Sequence, residues 1–592
     1  MAQPAAQTDR DLASIAEARA LVRRAKDVAP VLAELSQQQV DAIVDAMAAA
    51  ATPQAEALAR LACEETGYGV VADKIQKNLF ASQKIYNFIR PMKTVGVIRR
   101  LEDKKVIEIA EPFGVVAAIV PTTNPTSTAI YKILIAMKAR CPIVISPHPS
   151  AVRCITRTAE LMTAAARGAG APESAINWMT QVTLEGTQEL MKARETAVIL
   201  ATGGMGLVRA AYSAGKPAYG VGPGNAPAFI ERSAELVKAV RDIVTGKTFD
   251  NGLLCSSENS VVVDAPVVDE VKRLFVANGA HFLSASEIDV LGRALVTAQR
   301  LPNPAFVGKS AAYIAQRVGI SVAAGTRVLI AELKGVGRDF PLSIEKLCPV
   351  LSFYVVNDWK EGCERCKQIL KYGGMGHTMS FHSRNDDIVL EFGLKKPAFR
   401  IVVNTPTTLG SIGLTTSLDP SMTLGCGGWG GNITSDNISP RHLLNIKRVA
   451  YETSPAPVRS ERTTEAVNDP QARSDGRPSL PKAAAAPVQA GIAAESLARR
   501  IDQFLSSRGY TPAPQHAPKG VAAPVERLMP SPLKVEVPAQ PAAPADFVCE
   551  DDVRQAVRHG RKIVIGEHTI VTPAARDLGE QQRVFVQADW RG

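Results

Sequence analysis

Apolar positions in the N-terminal half alternate between two rhythms. Ala18, Leu21, Val22 and Ala25 recur at helical spacing. Val106 to Ile109 reads as a short strand preceded by charged residues. Gly114 to Val120 (GVVAAIV) is apolar throughout, the pattern of a strand covered on both faces. Pro121 to Pro125 predict a loop. Thr126 to Ala139 predict a helix with Ile130, Ile133, Leu134 and Met137 on one face, and Ile143 to Ile145 the next strand. Strand, helix and strand in this order make a βαβ unit, whose right-handed crossover implies a parallel sheet.

A second unit follows. Ala151 to Arg167 predict a helix ended by Gly168 and Gly170. Ala197 to Ala201 (AVILA) predict a strand, and Thr202-Gly203-Gly204 turn it into a helix that Gly215 stops. Repetition of this kind predicts an α/β fold with a doubly wound, Rossmann-type domain. From about Phe229 to Asn437 a second domain of similar alternation is expected, with one helix over Trp359 to Tyr372.

Near Glu452 the composition changes to Pro, Ala and charged residues, too polar to bury a core, so 454–545 reads as a linker. Within it, Val488, Leu497, Ile501, Phe504 and Leu505 form a narrow apolar stripe, an amphipathic helix over about 488–508 ended by Gly509. The last stretch, 546–592, reads as a small module. It has a helix over Glu550 to His559, a hairpin over Lys562 to Val571 turning at Gly566-Glu567, and a helix after Pro573.

Length adds that 592 residues exceed one core and predict two or three domains. The net charge of +10 is dispersed, without the basic cluster and interleaved aromatics that nucleic-acid binding needs. Nine cysteines without paired spacing fit a reducing compartment. Cys363 and Cys366 make one C-x-x-C, read as two thiols one turn apart in a helix. No secretory leader or run of about 18 apolar residues is expected to target a membrane, so the chain reads as cytoplasmic.

The candidate chemistry begins at Cys255, in Asp250-Asn251-Gly252-Leu253-Leu254-Cys255-Ser256-Ser257-Glu258-Asn259. The thiol ends an apolar segment with backbone N–H groups just downstream, which stabilise a thiolate and an oxyanion alike. A cysteine after two leucines is also simply a buried hydrophobe. Asn124 falls in the loop at the carboxyl end of a buried strand, where open α/β sheets bind ligands. Its side-chain N–H can donate to an oxyanion, or its side chain can make an Asx-type loop bond. Thr202-Gly203-Gly204 opens a helix, and helix N-termini bind phosphate. Val221-Gly222-Pro223-Gly224 is a second glycine turn. His377 follows a third, and reads either as a proton-transfer group near a thiol or as a structural histidine. No second histidine or carboxylate stands at ligand spacing, so no metal is expected.

Five motifs together resemble the coenzyme-A-acylating branch of the aldehyde dehydrogenase superfamily. They are Val120-Pro121-Thr122-Thr123-Asn124-Pro125, the segment Cys255 to Asn259, Glu345-Lys346-Leu347-Cys348-Pro349-Val350, Gly374-Met375-Gly376-His377-Thr378, and Thr423 to Asn432 (TLGCGGWGGN). The resemblance implies Cys255 as nucleophile, with Asn124 and the Cys255 backbone N–H as the oxyanion hole, and a place for His377 near the site. It implies NAD bound with Glu345 on the nicotinamide ribose, Thr202, Gly203 and Gly204 under the pyrophosphate, and Ser146, Pro147 and His148 near the adenosine. Thr122, Thr123, Gly222 and Pro349 complete the implied cofactor site. Hydrolytic relatives carry a glutamate in a Glu-Leu-Gly-Gly-Lys motif, whereas the matching stretch here is Tyr219-Gly220-Val221-Gly222-Pro223-Gly224. The thioester on Cys255 is then expected to survive for coenzyme A.

The expected organisation is an NAD-binding domain (1–98 and 115–228), a catalytic domain (229–438) and oligomerisation strands (99–114 and 439–453) that make a homodimer or homotetramer. The expected reaction is oxidation of a short aldehyde, propionaldehyde or acetaldehyde, to its acyl-coenzyme A. The tail resembles encapsulation peptides, which implies shell-protein partners and the lumen of a bacterial microcompartment. The alternatives are a hydrolytic aldehyde dehydrogenase, an acyl-phosphate reductase on the same fold, and an inactive shell-binding scaffold.

Overall fold

The computed structural model describes residues 3–456 and 545–587. These belong to two separate units, described in turn.

The first unit contains three sheets. Strands β3 (Val115–Val120), β4 (Ile143–Pro147), β5 (Ile176–Trp178), β6 (Thr196–Thr202) and β7 (Ala218–Val221) form one sheet in the order β5-β4-β3-β6-β7. Every pairing in it is parallel. The apolar run read as a doubly covered strand is β3, buried at all six positions. The helix that follows it, Pro125–Lys138, starts with proline at its first turn and is buried along its whole length. Lys132 of that helix is fully buried, and donates to the carbonyls of Ile119 (2.7 Å) and Leu200 (2.8 Å). It thereby ties the ends of β3 and β6 together. Chain order reverses between these two strands, and a crevice opens at their carboxyl ends.

A seven-stranded sheet follows, in the order β10-β11-β12-β9-β8-β13-β14. Its strands are β8 (Ala226–Ile230), β9 (Glu258–Asp264), β10 (Ala280–Phe282), β11 (Val328–Glu332), β12 (Val350–Val356), β13 (Gly376–His382) and β14 (Ala398–Val403). All are parallel to their neighbours. The helix Trp359–Tyr372 has the bounds expected of it and buries both Cys363 and Cys366.

The third sheet joins distant segments. β1 (Gly96–Leu101), β2 (Val106–Pro112) and β15 (Leu444–Ala450) pair antiparallel in the order β1-β2-β15. Glu108 on the middle strand accepts from Arg99 and Arg448 on either side. Sequence reading expected two strands here and missed β1.

In the second unit, β16 (Ala545–Val548), the helix Glu550–Arg558, β17 (Ile563–Val571), the helix Pro573–Gln581 and β18 (Phe585–Gln587) alternate. β17 lies in the middle and pairs parallel with both neighbours. The expected hairpin over Lys562 to Val571 is therefore wrong. Gly566-Glu567 bulges the strand instead of reversing it. The register to β16 shifts across that point, and the Gly566 N–H donates to Thr569 Oγ1 at 2.7 Å. The apolar stripe over 488–508 lies outside the described residues.

Candidate active site

The crevice at the ends of β3 and β6 continues into a cleft of about 700 Å³. Its walls bring together most of the candidate residues: Thr122 and Thr123 after β3, Ser146, Pro147 and His148 at the end of β4, and Thr202, Gly203 and Gly204 after β6. Gly222, Cys255 and Glu345 complete them. Asn124, His377 and Pro349 do not line it. The Pro349 carbonyl accepts the Leu329 N–H at 3.0 Å, a strand contact rather than a ligand-facing one.

Cys255 is carried by a strained loop. Asp250 (φ 48°) and Asn251 (φ 54°) are consecutive left-handed residues that are not glycine. Such conformations cost about 1–3 kcal/mol each and persist only where surroundings impose them. Five contacts impose them here. The Asp250 N–H donates to Asp73 at 2.7 Å, and Asp250 Oδ1 accepts the Val70 N–H at 2.7 Å. Asp250 Oδ2 meets both Lys74 (3.1 Å) and Lys77. Asn251 donates to the Gly308 carbonyl at 2.9 Å. The loop ends with Cys255 partly exposed to the cleft.

Burial pushes the Cys255 thiol up to about 12, with Glu345 and Cys426 adding to the shift. The Arg400 guanidinium and the residue's own backbone N–H oppose it. The free thiol is therefore protonated at neutral pH and needs a base. His377 lies near the backbone of this residue. A methyl built on Gly224 would fall 1.9 Å from the Cys255 carbonyl oxygen and 3.4 Å from His377 Nδ1, so all three are neighbours. His377 Nδ1 bonds Thr378 Oγ1 at 2.9 Å, and its buried Nε2 has no hydrogen-bond partner. Burial, helped by Arg400, pulls the imidazole down to about 3, so it is neutral and too weak a base to hold a proton taken from a thiol at about 12.

Asn124 precedes the helix Pro125–Lys138, but its side chain makes no capping bond. The amide is 7% exposed, with Oδ1 accepting from Lys77 at 2.6 Å and Nδ2 donating to Thr123 Oγ1 at 3.1 Å. Glu345 Oε1 accepts the Gly224 N–H at 2.9 Å. Burial pushes its carboxyl up to about 8, against the pull of that N–H and of Lys247 and Lys346. Among the described residues lining the cleft it is the one carboxylate.

The glycine turn after β6 suits a dinucleotide. Gly204 precedes the helix Met205–Tyr212 without a side-chain cap, so its first N–H groups are free of one. Side chains built on Gly204 or Gly206 would meet nothing within 4 Å, leaving room for a close ligand. The Thr202 hydroxyl is buried and unpartnered. An uncapped helix N-terminus and an orphaned hydroxyl in an apolar cleft fit a pyrophosphate. Ser146 is pinned by Thr187 at 2.8 Å. Among the described residues no group of three His, Cys, Asp or Glu is placed to hold a metal ion.

Glu258 anchors the short helix Thr407–Gly410. It accepts from the Thr407 N–H (2.5 Å) and Thr408 Oγ1 (3.0 Å). Sequence reading passed over Lys77, Asp250, Arg400 and Cys426. Arg400 left a signal, a lone arginine inside the apolar strand β14. It is buried and donates to the Ser435 carbonyl at 2.9 Å, beside Cys426.

Comparison with known proteins extends this picture. A profile of the aldehyde dehydrogenase family matches residues 5–285. Over 442 residues the chain is 43% identical to the bifunctional aldehyde-alcohol dehydrogenase AdhE of Escherichia coli (strain K12), covering 74% of this chain and 50% of that one. The chain thus spans about half the length of the first curated relatives it matches. It is 39% identical over 440 residues to the succinate-semialdehyde dehydrogenase (acetylating) of Clostridium kluyveri, covering 74% of this chain and 97% of that one. Among solved structures, an acetylating aldehyde dehydrogenase from Geobacillus thermoglucosidasius superposes with a TM-score of 0.74 at 48% identity. That match covers 76% of this chain and 99% of the other. No helix among the described residues is long and apolar enough to cross a membrane.

Proposed function

Because the chain belongs to the aldehyde dehydrogenase family, in its acylating branch, and is an oxidoreductase, we propose that it converts a short-chain aldehyde to the acyl-coenzyme A through a thioester on Cys255. The carrying observation is the cleft itself. Cys255 lines it, and its one carboxylate, Glu345, is pushed up to about 8 and so is mostly protonated at neutral pH. A carboxyl in that state is a poor base for water.

Cys255 gives up its proton, with His377 passing it on rather than holding it, and the sulfur attacks the aldehyde carbon. Asn124 donates to the resulting oxyanion. Thr202 to Gly204 and Glu345 would hold NAD, which when bound would supply the acceptor for the hydride that leaves this carbon. The acyl group remains on Cys255 until the coenzyme A thiol, giving its proton to a base, displaces it and Cys255 departs as thiolate. Atoms balance as aldehyde, oxidised cofactor and thiol giving acyl thioester, reduced cofactor and one proton.

Acetaldehyde is placed first among substrates. The 48% identity to a solved acetylating aldehyde dehydrogenase supports it over propionaldehyde. A dimer or tetramer built on β1, β2 and β15 is supported by Val97 and Val449, which that sheet leaves exposed. A cytoplasmic protein, delivered to a microcompartment lumen by its tail, is the proposed location.

The deciding experiment is an aldehyde panel with purified enzyme, following reduced cofactor and acyl products with and without coenzyme A. Acyl-coenzyme A formation that stops when the thiol is omitted supports the reading. Free acid released at the same rate without it favours a hydrolytic enzyme and removes the proposal.

A further inference from the structure

The Asn124 amide is gripped from its oxygen end. Lys77 Nζ lies 2.6 Å from Asn124 Oδ1. An ammonium can only donate, so the contact fixes which end of the amide is oxygen and turns the NH2 end away from the lysine. A cation on the oxygen also polarises the amide, making its N–H groups stronger donors. Lys77 is itself locked in place. It pairs with Asp250, five positions before Cys255, and donates to the Thr123 carbonyl at 3.4 Å. Lys74 shares both partners, at 3.1 Å and 3.2 Å. Both lysine side chains and the carboxylate are 2% exposed or less.

We propose that Lys77 is the positioning residue of the oxyanion hole: its ammonium, anchored on Asp250, sets the Asn124 amide so that the N–H not given to Thr123 Oγ1 is turned toward the oxygen of the carbonyl that Cys255 attacks. This rests on Cys255 as nucleophile and Asn124 as oxyanion donor. The same carboxylate accepts the Val70 N–H and so pins the left-handed turn that presents Cys255. One buried ion cluster therefore registers donor and nucleophile against each other. Lys74 alone offers Asp250 a counter-charge, so ion pairing does not by itself require a second lysine at the amide oxygen. Burial draws the Lys77 ammonium down only to about 8, and it remains a cation at neutral pH.

The test reads acylation of Cys255 by p-nitrophenyl acetate, which passes through the same tetrahedral oxyanion and needs neither dinucleotide nor coenzyme A. Cys255→Ala supplies the blank. Asn124→Ala is expected to slow the burst by about 10²-fold, the cost of one oxyanion donor. Lys77→Met is expected to slow it by about 10- to 100-fold, and to add almost nothing in the Asn124→Ala background. Lys77→Arg, which still donates, recovers part of the rate. Should Lys77→Met fail to fold, Lys77→Gln, shorter and uncharged but polar, enters the same cycle. Equal slowing in both backgrounds would overturn the proposal, since a structural lysine acts whether or not the amide is present. A parent enzyme with no burst above the blank would instead remove the nucleophile on which the proposal rests.

Discussion

The carbonyl oxygen of Cys255 occupies the place a side chain would take on Gly224, 1.9 Å from where a methyl carbon would lie. The obstacle is backbone, so it cannot rotate aside. Gly224→Ala must push the nucleophile loop, whose left-handed residues are already clamped on Lys74, Lys77 and Asp73. Displacement of a reacting group by about 1 Å costs roughly 10²-fold in rate. The expected result is a fall of that order in kcat with cofactor affinity kept, measured by steady-state kinetics and cofactor titration. Unchanged kcat would mean that the loop has slack that the structure does not show.

The thiol itself makes a second prediction. A free cysteine titrates near pH 8.5, and catalytic thiols are often lower. Cys255 is moved the other way, up to about 12, with burial the main cause. In the free enzyme its thiolate fraction should then grow about tenfold per pH unit through the whole usable range. Alkylation by iodoacetamide, mapped to Cys255 by mass spectrometry, should rise without levelling off. A plateau by about pH 7 would place the thiolate's stabilisation in the resting enzyme rather than in the complex.

These properties were unevenly legible in the chain. The run Gly114 to Val120 announced β3 because a strand covered on both faces has nowhere to put a polar residue. Cys255 and Glu345 were found by motif, and the cleft brings both together. The clamp on the nucleophile loop was not legible. Asp250 and Asn251 are residue types that tolerate the left-handed region, but the contacts that impose it come from Lys74, Lys77, Asp73 and Gly308, elsewhere in the chain. Lys77 meets Asn124 across 47 positions, a distance over which periodicity carries no information. The misread hairpin has the opposite cause. Gly566-Glu567 is locally good turn chemistry, but the flanking helices return the chain each time and leave β17 as a bulged central strand.

Glu345 links protonation to stability. Its folded value, about 8, stands above the ordinary 4.5. The folded protein therefore binds this proton more tightly than the unfolded chain does. The stabilisation is complete below the ordinary value and is lost as pH rises through about 8. Glu345→Gln keeps an oxygen to accept the Gly224 N–H and cannot ionise. Relative to the parent, its thermal midpoint should therefore climb between pH 5 and about 8.5. Parallel curves across that window would show that the carboxyl is already ionised in the folded state.

The last prediction concerns the C-terminal unit. Among the described residues, the apolar clusters of the first unit are built from residues up to Leu444, and the cluster of the second from residues from Ala545 onward. The described contacts of Cys255, Asn124, His377 and Glu345 all fall before residue 456. A chain ending at residue 456 should therefore fold and keep the kcat and KM of the full protein. If the tail serves delivery, the same truncation should abolish co-purification with microcompartment shells while leaving turnover alone. Retained association with shells would move that function onto the catalytic unit. Lost turnover with an unchanged thermal midpoint would show that the tail completes the site.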